Sequence, residues 1–153
     1  MGDEKAVHEE GPALGPPVMV IQIPRLAKAV GPGWHAVLHR LHEQLVARWP
    51  DYRAVGVKEK FGGLRVQIDA GERAAREAAS RFVRAAEAEA AVLCEFCAGS
   101  GRARPRGDAP AGWIKTVCAD CHRAWSAREI MIANGAVRYS GRGPHSPAAP
   151  PGD

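Results

Sequence analysis

The apolar positions of this chain change period along its length, and each change predicts an element. Across residues 34–49, Trp34, Val37, Leu38, Leu41, Leu45 and Trp49 recur at three- and four-residue intervals, the stripe of an amphipathic helix. His35, His39, Arg40, His42 and Glu43 lie off that stripe, and Pro50-Asp51 ends it. The period then falls to two. Val55 and Val57, then Leu64, Val66 and Ile68, read as two strands of a hairpin, with residues 58–63 joining them and Gly62-Gly63 supplying the turn. Asp69 reads as a helix N-cap, with Glu72 completing a capping box, and an alanine-rich helix is predicted over residues 70–93. Its narrow face is Ala75, Ala79, Phe82, Ala86, Ala90 and Leu93, and Glu72–Arg76 and Glu77–Arg81 are favourable pairs one turn apart.

The flanks are less regular. Residues 1–17 are polar and carry glycine and proline, predicting a disordered tail, as do residues 140–153 (SGRGPHSPAAPPGD). Residues 18–23 form a short β-branched run closed by Pro24, suited to an edge strand or a strap over the core. One or two helical turns over residues 25–30 precede the Gly31-Pro32-Gly33 break. Beyond residue 93, Trp113, Ile114 and Val117 predict a strand, Trp125 a short helix, and residues 130–139 a hairpin about Asn134-Gly135, which also suits a helix C-terminus. The expected fold class is α+β. A small single domain (helix, β-hairpin, long helix; residues 18–93) is followed by a four-cysteine zinc ribbon-like module over residues 94–139.

That module rests on Cys94, Cys97, Cys118 and Cys121, arranged C-x2-C, twenty residues, C-x2-C. Two cysteines two residues apart sit on one tight turn and offer both thiolates to a single ion. Two such turns complete the tetrahedral shell that zinc prefers. One structural Zn²⁺ is therefore expected, its binding energy serving as folding energy for a segment poor in large apolar side chains. A redox dithiol is the competing reading, but its signature is a lone C-x2-C. His122 follows Cys121 directly and could replace one thiolate, though four cysteines make that unnecessary.

CEFCAGSG (residues 94–101) resembles the CxxCxGxG repeat of J-domain co-chaperones over eight residues, and occurs once. VKEKFGGLR (57–65), CEFC (94–97) and WIKTVCADCH (113–122) together resemble a group of small, uncharacterised bacterial and phage proteins. In that group a KEKFGGLR-like strand segment precedes a four-cysteine module. The resemblance implies that helix, hairpin and zinc module form one unit, and implies no site residue beyond the four cysteines.

The charge of +4 is unevenly placed, because Lys5 stands against Asp3, Glu4, Glu9 and Glu10 at the acidic start. The remaining, basic part suits a polyanion. Arg102, Arg104 and Arg106 are expected in the loop between the cysteine pairs, with Lys115 and Arg123 on the same side, as nucleic-acid-binding candidates. A solvated loop is the even alternative. Phe61, set among Lys58, Glu59, Lys60 and Arg65, and Trp125 are candidate contacts for a protein partner.

His35, His39 and His42 could gather a metal, but HEQLV lacks the second histidine of HExxH and a solvated helix face is expected. No nucleophile with its base, carboxylate pair or phosphate loop is recognisable, so no catalytic residue is assigned. No apolar run approaches a membrane span, and an acidic start without a signal pattern predicts the cytoplasm. The expected role is a non-enzymatic binding protein whose partner is nucleic acid or another protein, with no small-molecule substrate.

Overall fold

Apolar residues from four segments meet around one helix in the computed structural model, which describes residues 19–107 and 113–141. The predicted tail over residues 1–17 lies outside the described residues, as does all of the second tail beyond Gly141. Residues 19–22 form the strap rather than a strand. Ala54 N donates to Ile21 O at 2.8 Å, and the Gln22 amide donates to the carbonyls of Pro50 and Tyr52. Helix α1 (Ile23–Leu26) carries Pro24 in its first turn, where a missing N–H costs nothing, and a 3-10 turn (Ala27–Ala29) continues it.

Helix α2 (His35–Arg48) buries Val37, Leu38, Leu41 and Leu45, with Trp34 buried at its N-cap, as the stripe predicts. Trp49 lies at the margin instead, edge-on to Phe82 with ring centroids 6.2 Å apart. Strands β1 (Arg53–Lys60) and β2 (Gly63–Asp69) pair antiparallel and turn Ala54, Val57, Leu64 and Val66 inward. The sequence placed Val55 and Val57 on one face. A bulge between Ala54 and Gly56 separates them, leaving Val55 outside and Val57 inside.

The turn also sits one residue earlier than Gly62-Gly63. Lys58, Glu59 and Lys60 belong to β1, and the two loop residues are Phe61 and Gly62, with φ of 51° and 81°. Two positive φ values in a two-residue loop define the type I′ connection, for which Asn-Gly is the favoured pair. Phenylalanine in the left-handed region is strained. Replacing Phe61 by Asn is expected to stabilise the fold by about 1 kcal/mol, measured by urea denaturation.

Helix α3 (Arg73–Ala90) starts three residues later than predicted. Asp69 does not cap it. Its Oδ1 accepts from Gly71 N at 2.9 Å, closing a local turn that Gly71 permits with φ of 95°. Glu72 holds the N-cap position without a side-chain bond, and Glu77 pairs back to Arg73 at 3.0 Å. The small face of α3 packs on α2 and β2 through Ala79, Val83, Ala86 and Ala90, so Val83 joins the predicted alanines.

The remaining elements form a second apolar cluster. Strand β3 (Arg102–Pro105) pairs with β4 (Ile114–Val117), helix α4 (Ala119–Ser126) follows, and β5 (Ile130–Ala133) pairs with β6 (Ala136–Tyr139). Asn134-Gly135 makes the predicted hairpin turn, with φ of 51° and 74°. Cys94, Phe96, Val117, Trp125 and Ile130 are buried together. The fold is thus mixed helix and small antiparallel strand pairs, with four cysteines gathered at one end.

Candidate metal centre

The first cysteine turn follows directly from α3. After its last residue a tight turn runs to Leu93, which bridges to Ser100. Cys94 N donates to Gly99 O at 2.7 Å and Ala98 N to Cys94 O at 2.9 Å, closing a loop that Ala98 enters with φ of 63°. Gly99 N then reaches Cys97 Sγ at 3.4 Å. Gly101 is required here, since a Cβ would lie 2.8 Å from Cys94 N. The second turn is a helix start. Cys118 is the N-cap of α4, and its sulfur accepts from Cys121 N at 3.4 Å.

All four sulfurs lie within 4.8 Å of one another, and Cys97 Sγ and Cys118 Sγ are 3.8 Å apart. Metal–sulfur bonds of about 2.3 Å in tetrahedral array place sulfurs roughly 3.8 Å apart. The donor set therefore fits one metal ion, and the four cysteines are free. Cys94 is buried, Cys118 and Cys121 are half-buried and Cys97 is exposed.

Crowding governs the protonation of this cage. Burial pushes the Cys97 thiol up, opposed by the Gly99 amide and reinforced by Cys94. Burial, then Cys118 and Cys94, drives Cys121 far above the thiol range. For Cys118 burial also acts upward, but the amide and thiol of Cys121 and the neighbouring sulfurs outweigh it and lower the value. Its place at a helix start favours the thiolate in the same sense.

The raised thiols of Cys97 and Cys121 stay protonated in metal-free protein at neutral pH, so loading must expel their protons. Metal affinity is expected to rise with pH between about 5.5 and 8, by competition titration.

The basic candidates are differently placed. Arg102 and Arg104 belong to strand β3 rather than a loop, because backbone pairing with β4 gives this short segment its ladder partners. Arg102 is exposed; Arg104 is half-buried, and its Nε has no hydrogen-bond partner among the described residues. Arg106 lies over Trp113 at 5.1 Å and Trp125 at 5.8 Å. Lys115 is held between carboxylates, 2.8 Å from Glu95 and 3.4 Å from Glu59, while Arg123 pairs with Asp120 on α4. His122 Nε2 meets Pro105 O at 2.7 Å, tying α4 to β3 outside the cage. Of the candidate protein contacts, Phe61 is 69% exposed, whereas Trp125 is buried in the module core. The exposed indole is Trp113.

No family model, curated protein or solved structure matches the chain. Its function therefore has to be argued from its own geometry.

The α2 histidines do not converge. His35 meets Val30 O, His39 pairs with Glu43 and His42 Nδ1 lies 2.7 Å from Tyr52 Oη; the four cysteines are the metal-capable group among the described residues. Among those residues no helix is long and apolar enough to cross a membrane.

Sequence reasoning missed Glu95, which sits inside the first cysteine pair yet is buried. Its Oε1 accepts from Gly31 N, its Oε2 from Lys115 Nζ, and its carbonyl from Gly33 N at 2.8 Å. Thr116 adds a bond to Gly62 O at 2.7 Å. The metal end is thereby bolted both to the entry of α2 and to the hairpin turn. Nothing in the residue pattern marks a glutamate between two cysteines as buried.

Proposed function

We propose that this chain is a non-enzymatic, zinc-stabilised binding protein whose ribbon-like module presents a nucleic-acid-binding surface. Four thiolates suit zinc and fill its shell, leaving no position for a reacting water. The metal's role is then to fix what surrounds it. The observation that carries the reading is the surface beside the cage. Exposed Phe61 and Trp113 each lie beneath a cation, Lys60 at 5.9 Å and Arg106 at 5.1 Å, and Arg102 and Arg104 continue along β3. Paired aromatic and cationic groups supply stacking and phosphate contacts together. Lys115 and Arg123 act in this reading by positioning the surface, since carboxylates already occupy them.

The test is fluorescence anisotropy of zinc-loaded protein with mixed-sequence DNA and RNA across a salt titration. Binding should weaken steeply with salt, and further when Arg102 and Arg104 become alanine. Absence of binding at low salt would overturn the reading in favour of a protein partner at exposed Phe61 and Trp113.

A further inference from the structure

The hairpin turn contains a residue that its local structure argues against. Two turns of this molecule share the same form and the same first φ of 51°. One is Asn134-Gly135, the pair that this backbone favours; the other is Phe61-Gly62. Phe61 accepts left-handed strain and leaves an apolar ring 69% exposed, so neither backbone geometry nor core packing accounts for it. The turn itself is held rigidly, since Gly62 O accepts from buried Thr116 and a Cβ at Gly62 would meet Ile114 at 3.1 Å. The backbone that carries the ring is therefore fixed.

Two concavities are lined by residues of this hairpin. A cleft of about 170 Å³ has Phe61 and Trp113 among its walls, with Ile114 and the Glu59–Lys115 ion pair. A groove of about 530 Å³ runs along the hairpin, lined by Lys58, Lys60, Arg65 and Gln67 over Gly56 and Val66. Glu87 also lines it, its Oε1 accepting from Val66 N at 2.9 Å, so the lining sets one carboxylate against three cations. Lys58 stands opposite Arg65 in the strand register, so like charges face each other without a counter-ion between them in the ladder. Such a pair is unfavourable unless an anion lies across it. Lys60 lines the groove, and its ammonium lies over the ring of Phe61, a wall of the cleft.

We propose that the partner is single-stranded nucleic acid, its phosphates tracking Lys58, Lys60 and Arg65 and its bases stacking on Phe61 and Trp113. This rests on the nucleic-acid reading above and specifies its ligand and path. A duplex keeps its bases stacked internally and cannot offer their faces to two projecting rings, whereas an unpaired strand can. A wholly acidic peptide would satisfy the cations but brings no flat face to the rings.

The experiment compares labelled mixed-sequence single strands of about 12 nucleotides with the matching duplex, using zinc-loaded full-length protein. The single strand should bind more tightly, with a log–log salt slope steeper than the roughly −2 of the three groove contacts alone, since Arg102 and Arg104 add theirs. Phe61→Asn should weaken single-strand binding roughly 5- to 150-fold while the melting temperature holds or rises, and Trp113→Ala should weaken it similarly. Lys60→Ala should flatten the salt slope by about 0.7. Equal binding of strand and duplex, indifferent to Phe61→Asn, would overturn this path and leave the broader reading standing. No binding of either nucleic acid would overturn both, and binding of polyglutamate alone would assign the groove to an acidic protein.

Discussion

Stripping the metal with a chelator is expected to dissolve the second apolar cluster while leaving much of the first in place. Among the described residues, the module's buried apolar side chains besides cysteine are Phe96, Val117, Trp125 and Ile130, too few to offset the ordering of the strands and turns around them. A structural zinc supplies on the order of 10–16 kcal/mol in such small modules. Without it, nothing joins the two cysteine turns, and near-ultraviolet dichroism from Trp113 and Trp125 should collapse. Trp34 is buried among Leu38, Leu41 and Leu45, so helical dichroism from α2 and α3 should largely persist. The amides of Gly31 and Gly33 should lose exchange protection even so, because their acceptors belong to Glu95. Added zinc should restore both the tryptophan signal and the exchange protection. Retention of the tryptophan signal in metal-free protein would show that the module folds unaided.

Replacement of Glu95 by alanine should be the most damaging single change outside the cysteines. The carboxylate is 1% exposed and satisfies both Gly31 N and Lys115 Nζ. Its loss leaves a buried N–H without an acceptor and a part-buried ammonium with only Glu59, 3.4 Å away. Removing one partner of such a pair costs about 3–5 kcal/mol. Glu95→Gln keeps an acceptor for Gly31 and should cost less, while Glu59→Gln should cost less again because Glu59 is more exposed. Urea denaturation of the zinc-loaded variants measures the order. A loss below about 1 kcal/mol for Glu95→Ala would contradict the bolt between cage and core.

What the sequence made legible was what spacing alone decides. The α2 stripe, the two cysteine pairs and the Asn134-Gly135 turn each follow from residues within a few positions of one another. The misses have a common cause. The Ala54/Gly56 bulge depends on the partner strand, and β3 is a strand only because β4 lies beside it. Asp69 offered a capping box, but the nearer amide of Gly71 captured its carboxylate first. Lys115 read as a phosphate contact because its carboxylate partners stand 20 and 56 residues away. Glu95 is farther still from Gly31, 64 residues along the chain. Such long-range pairings carry no local period.

The central claim is that one zinc ion bound by Cys94, Cys97, Cys118 and Cys121 organises this end of the molecule. Zinc-edge X-ray absorption on purified protein of known metal content tests it most directly. One zinc per chain with four sulfur neighbours at about 2.3 Å is the predicted result. Nitrogen or oxygen neighbours near 2.0–2.1 Å, or a chain that holds no metal while remaining folded, would contradict it.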